Sequence, residues 1–250
     1  MERAVSCGVD RVYFGAETCE RMLPDTQQLR AALCVAESNE RAFTFVTPFL
    51  TDGGLDRVLG LLPDLPPNTE VVCNDWGTLL AVRERSLTPV LGRLLNRVLR
   101  GFENEARPPG FWRSHRTLTR TNLDQHRTIE LLREYGVTRV ELDRVPQGYT
   151  FDLPDDIACS AYSPFVFVAA GRKCIYMQQA NSRDRMRGNS PCDLACKRLV
   201  AWTKMEDSSA RVLIAGNAQY IDVVSPQPEW RCVPDREVDI SVLVDQWMID

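Results

Sequence analysis

The sequence predicts an α/β protein built on a βα repeat. Three observations carry this. Short apolar, β-branched or aromatic strings alternate with stretches of helical periodicity, and each strand–helix pair takes about 25–35 residues, as βαβ units do. Gly, Asn or Pro punctuates the joints between them. An internal echo links the start of the chain to its middle. CGVDRVYFG (residues 7–15) and YGVTRVELD (residues 135–143) both read as a helix end, a glycine and a strand entry, the recurring joint of a βα barrel.

The elements follow in order. Arg11–Gly15 (RVYFG) is an apolar strand, and Thr26–Glu37 places Leu29, Ala32, Leu33 and Ala36 on one helical face. Arg41–Thr47 (RAFTFVT) is a second strand. A helix over Asp52–Leu62 ends at Pro63, Pro66 and Pro67. Glu70–Asn74 (EVVCN) is a third strand, followed by a short helix over Asp75–Arg85. Thr88–Leu91 reads as a strand and Leu94–Leu99 as a helix. Residues 100–116 are a Gly/Pro/Arg-rich loop. Asn122–Tyr135 is helical with Asn122 as cap, and Val137–Leu142 is a strand. Beyond Asp143 the character changes. Pro146, Pro154 and Pro164 break the chain, strands are expected at Pro164–Ala170, Ala210–Ala215 and Tyr220–Val224, and the tail ends in an apolar element at Ile240–Met248.

With 250 residues, 44% hydrophobic and 26% charged, the chain is long enough for one large domain with a substantial core. Its net charge of −4 gives no bulk attraction for nucleic acid or an anionic membrane. No apolar run approaches the ~18 residues of a membrane span, and the N-terminus lacks a signal-peptide core. A cytoplasmic location is therefore expected.

In a reducing cytosol the nine cysteines are not a disulfide framework. Cys34 and Cys73 fall in a helix and a strand and read as core. Cys174, Cys192 and Cys196 differ, because they obey C-x17-C-x3-C. Four residues apart, Cys192 and Cys196 share one face of a helical turn. Close thiolates repel, and an inorganic core offsets the repulsion. Arg172, Lys173, Arg183, Arg185, Arg187, Lys197 and Arg198 surround them against only Asp184 and Asp193, which suits an anionic cluster. Cys19, just past the first strand in FGAETC, is the preferred fourth ligand, because sites form at the C-terminal ends of parallel strands. Cys232, after the last interior strand, is its rival. A four-cysteine zinc site competes with the iron–sulfur reading, although structural zinc normally shows two close cysteine pairs. The same spacing also admits a redox-active C-x3-C pair or three unrelated thiols.

Several polar residues sit where a substrate would bind. Asn74 and Asp75 follow the third strand, and Arg93 and Asn96 follow the fourth, where an arginine and an amide suit an anionic group. A helix cap by Asp75, a packed Trp76 and a solvated helix face explain the same positions without a ligand. His115 and His126, the only histidines, read as surface residues. No Ser-His-Asp order, HExxH, phosphate loop or dinucleotide fingerprint is present. The basic stretch Arg93–Arg127 carries only Phe111 and Trp112 for base stacking, so RNA is a lesser expectation.

Four stretches resemble the U32 peptidase-like family: GVDRVYFGAETC (residues 8–19), VVCNDWGTLLAVRE (residues 71–84), PVLGRLLNRVLR (residues 89–100) and GRKC…RDRMRGNSPCDLAC (residues 171–196). The likeness is nearest to the family's iron–sulfur proteins of oxygen-independent ubiquinone hydroxylation. It implies a TIM-barrel-like core with a cysteine-bearing C-terminal segment, one domain over residues 1–250, and a cluster-binding segment at 171–199. It also implies a 4Fe–4S cluster on Cys19, Cys174, Cys192 and Cys196. The implied function is a redox or accessory subunit in hydroxylation of a ubiquinone precursor, beside a second U32-type subunit. The resemblance also admits hydroxylation of tRNA or ribosomal RNA, or a non-enzymatic cluster-stabilised binding role. The substrate would be a small aromatic or quinone-like molecule. The family's peptidase signature is not intact where the chain reads PFVFVAAGRKC, and no nucleophile–base pair is visible, so proteolysis is not expected.

Overall fold

A computed structural model describes residues 9–98, 120–145, 147–172, 174–176, 192–204, 211–222, 231–232 and 234–240. The loop expected at 100–116, Cys7, His115 and the tail element beyond Ile240 lie outside the described residues. The fold is mixed α/β. The chain divides into two compact units, Met1–Leu95 with Glu130–Val140, and Asn96–Ile129 with Glu141–Asp250.

The first unit is the βα-repeat region. Strands β1 (Arg11–Gly15), β2 (Ala42–Thr47), β3 (Glu70–Cys73) and β4 (Thr88–Leu91) lie side by side in parallel, followed by the first residues of β5 (Arg139–Asp143). Their central residues are apolar in runs rather than in alternation, as strands covered on both faces require. Phe45, Val71, Val72, Val90 and Leu91 are almost wholly buried.

Helices α1 (Thr26–Ser38), α2 (Asp52–Leu61) and α3 (Trp76–Arg83) connect these strands. Each begins where a short polar side chain can accept a bond from an otherwise unpaired backbone N–H. Asp25 and Gln28 form a capping box on α1, Thr51 accepts from Gly54 on α2, and Asp75 accepts from Gly77 and Thr78 on α3. At the strand N-termini, Glu70 accepts a bond from Thr44 and pairs with Arg11 at 3.1 Å and Arg139 at 3.8 Å.

Three expectations are corrected. The helix expected at Leu94–Leu99 is, over the described residues, a turn. Leu95 donates back to the Gly92 carbonyl, and the Leu94 N–H is taken by the Asn74 side chain, so no helical ladder starts. Cys34 is exposed rather than core, because α1 buries the Leu29–Ala32–Ala36 face. Helix α4 (His126–Glu134) forms within the expected Asn122–Tyr135 stretch. A short 3-10 turn at Asn122–Asp124 precedes it, and Thr121 rather than Asn122 caps that turn.

In the second unit, β6 (Ala158–Ser163) runs parallel to β11 (Arg236–Asp239), with Arg236 opposite Ser160. These strands complete a seven-stranded order β1-β2-β3-β4-β5-β6-β11. A separate four-stranded sheet has the order β7 (Phe165–Ala170), β10 (Ala218–Asp222), β9 (Arg211–Ala215) and β8 (Ala201–Lys204), and its described pairings are antiparallel. Strands β7, β9 and β10 match the sequence expectation, while β6, β8 and β11 do not appear in it. Among the described residues no helix is long and apolar enough to cross a membrane.

Candidate functional site

The β9–β10 hairpin organises the cysteine region. Gly216, at φ +62, makes the tight link that a two-residue hairpin connection needs. The next residue, Asn217, donates its side-chain amide to the Gly171 carbonyl at 2.8 Å, and its backbone carbonyl accepts from the Gly171 N–H at 3.1 Å. This double tie fixes the end of β7, three residues before Cys174. On the other side, a Cβ added at Gly216 would stand 3.7 Å from the Cys196 sulfur. One hairpin tip therefore positions both sides of the cysteine segment.

Tyr176 reads out the result. Its hydroxyl donates to the Ile214 carbonyl at 3.1 Å. Burial pushes the phenol up from its ordinary value, and negative charge on Cys174 and on Cys196 pushes it further. Cys174 and Cys196, far apart in sequence, are thus both within electrostatic reach of this phenol. Cys174 is half-buried, Cys196 is buried, and neither is in a disulfide.

Cys192 is placed differently. The expected shared helical turn does not form, because Leu194 between Cys192 and Cys196 adopts a left-handed conformation (φ 57°, ψ 33°). The 3-10 turn begins only at Ala195, whose N–H the Asp193 carboxylate accepts at 3.1 Å. Residues 177–191, with Arg183, Arg185 and Arg187 of the basic side chains expected around the cysteines, lie outside the described residues, as does Lys173. Among the described residues no three His, Cys, Asp or Glu side chains are grouped to hold a metal ion.

Cys19 belongs to the first unit, at the extended residue before a 3-10 turn over Glu20–Met22. That turn is pinned. The Glu20 carboxylate accepts from both the N–H and the hydroxyl of Thr51, each at 2.8 Å, and Arg57 donates to the carbonyls of Glu20 and Leu23. Cys232 lies in the second unit and is buried.

Of the residues expected to bind substrate, Asn74, Asp75 and Arg93 carry structural bonds. Asn74 donates to the Thr47 carbonyl at 2.9 Å and accepts from Leu94 at 3.1 Å, strapping the ends of β2, β3 and β4 together. Asp75 caps α3, and Trp76 is partly exposed with its ring 6.5 Å from Tyr135. Arg93 is fully buried and forms a two-pronged pair with Glu17, one prong at 2.7 Å. Asn96 is 1% exposed, and neither polar atom of its amide has a partner. Sequence reasoning missed Glu17 and Tyr176. A signal existed for Glu17, since an arginine buried at a strand end demands a carboxylate and FGAETC supplies one. Nothing local marks Tyr176, whose importance comes from a hairpin some forty residues later.

Set beside known proteins, the chain matches no family model, no curated protein and no solved structure.

Proposed function

We propose that this chain is a cysteine-ligated 4Fe–4S protein serving as a redox or accessory subunit in oxygen-independent hydroxylation of a small aromatic or quinone-like substrate. The observation that carries the reading is the β9–β10 hairpin tip, where Asn217 ties Gly171 just ahead of Cys174 and Gly216 lies beside the Cys196 sulfur. The donor chemistry fits such a group. These are disulfide-free thiols, one half-buried and one buried, on a segment tied down by a hairpin. Cys192 and Cys19 are the remaining ligands that the resemblance assigns. A bound cluster would supply one-electron transfer. The chain's own residues hold the sulfurs and limit solvent, with the Tyr176 hydroxyl anchored on the Ile214 carbonyl. The parallel βα region agrees with the barrel-like core of the U32 peptidase-like proteins, and a second U32-type subunit is the partner this reading calls for.

Anaerobic purification tests it. The expected product is brown, absorbs broadly near ~400 nm and holds about four iron and four sulfide per chain. Cys174→Ser, Cys196→Ser and Cys19→Ala each lose most of the iron. Cys232→Ala keeps it, because that thiol is not among the four assigned ligands. Colourless, iron-free wild-type protein overturns the proposal, as does zinc in place of iron. Co-purifying RNA would redirect the substrate to a nucleic acid.

A further inference from the structure

The two edges of the antiparallel sheet differ. At β7 a side chain already occupies the outer backbone, since the Phe167 N–H donates to the Asp143 carboxylate at 2.9 Å. At the other end of the order, β8 pairs with β9 alone among the described residues. Its outer main-chain groups are open to a further strand. The large apolar side chains that the second unit exposes, among the described residues, gather here. Trp202 on β8 is 38% exposed, Leu199 just ahead of the strand 53%, and Ile175 63%. Ile175 lies nearby because the next residue, Tyr176, donates to the carbonyl of Ile214, the residue opposite Ala201.

The same edge is basic. Lys197, Arg198 and Lys204 are exposed and form no ion pair among the described residues, whereas Arg211 is paired with Asp222. Side chains alternate along β8, so Trp202 and Lys204 share one face. Taken singly, an edge lysine and an exposed tryptophan need no partner. An open ladder, three apolar groups and three cations at one edge describe the partner that would cover them. A second copy of this chain would bring the same cations to the same edge, where like charges oppose pairing. Nucleic acid would need a free face of Trp202. Arg211 already stands over that ring at 4.8 Å, and Phe165 packs on it at 6.0 Å.

We propose that β8 is a docking edge for an extended, acidic segment of a partner protein, which adds to the sheet as a further antiparallel strand. Main-chain bonds to β8 supply the pairing. An acidic residue lies across from Lys204 and an apolar one across from Trp202, and Leu199 and Ile175 extend the apolar contact. Because the two strands run in opposite directions, the partner's order is acidic, any residue, apolar. The docking stands on the sheet edge and is independent of the iron–sulfur reading.

The test measures, by fluorescence anisotropy, binding of a labelled, end-blocked peptide with the repeat Glu-Thr-Val-Thr to the whole chain. That repeat sets glutamate and valine alternately along one face. The expected result is saturable binding, with slower amide exchange over residues 201–204. Lys204→Glu weakens binding by about tenfold and prefers the same repeat with lysine in place of glutamate. Trp202→Ala weakens it by a similar factor. Two N-methylated peptides, one modified at its glutamates and valines and the other at its threonines, separate strand pairing from side-chain attraction. One of them binds like the parent and the other does not, because a strand edge uses alternate N–H groups. The proposal is overturned if the parent peptide does not bind, if both N-methylated forms match it, or if Lys204→Glu changes nothing. Displacement of the peptide by a labelled oligouridylate, or a dimer of the protein alone that excludes the peptide, also overturns it.

Discussion

The two units use their polar side chains in opposite ways. In the first, Asn74, Asp75, Arg93, Glu17 and Glu20 gather at strand ends, and each closes a backbone joint or completes an ion pair. In the second, Cys159, Cys174, Cys192, Cys196 and Cys232 remain thiols, three of them buried and two half-buried. Polar groups at the mouth of a parallel sheet invite a binding-site interpretation. In this chain many of them are the fastenings that let the sheet end cleanly. The residues with chemistry to spare are carried by the less regular half.

Substitutions can break or sharpen that contrast, measured by urea unfolding and by iron content after anaerobic purification. Gly15→Ala has the largest expected effect. Gly15 sits at φ +138, and an added Cβ would overlap the Val46 carbonyl oxygen, so a loss of about 3 kcal/mol or more is expected. Glu17→Gln comes next, at about 2–3 kcal/mol. It strips the buried Arg93 charge of its counter-charge, and pairing it with Arg93→Met should recover part of the loss. Asn74→Ala removes two buried bonds at a cost of about 2 kcal/mol. Asp75→Ala removes a helix cap, for about 1 kcal/mol. All four should leave iron per folded chain unchanged, whereas Cys196→Ser should do the reverse. If Asn74→Ala or Glu17→Gln empties the protein of iron while it stays folded, the contrast fails.

The same contrast explains what could be read from sequence. Strands β1 to β5 and helices α1 to α3 were legible because periodicity, caps and punctuation all point the same way. Strand β6 was not. ACSAYS is, apart from Tyr162, made of small residues and is buried along most of its length, so it shows neither alternation nor strong strand propensity. Strand β11 is four residues, REVD, and exists because β6 offers it a ladder. The expected helix after β4 gave way to a side-chain bond from Asn74, a residue some twenty positions earlier that no local pattern couples to it. At the site, spacing singled out Cys174 and Cys196. It could not show that Leu194 would turn Cys192 away from a shared helical face.

The bonds around Glu20 bear on Cys19 in a further way. Arg57 braces the carbonyls at both ends of the turn that Cys19 opens, while Thr51 at the start of α2 grips the Glu20 side chain. The thiol is therefore moored to a helix rather than left at the end of a strand. Any event that tilts α2 would carry the Cys19 sulfur with it, so a contact on the outer surface of that helix has a mechanical route to the residue's reach and reactivity.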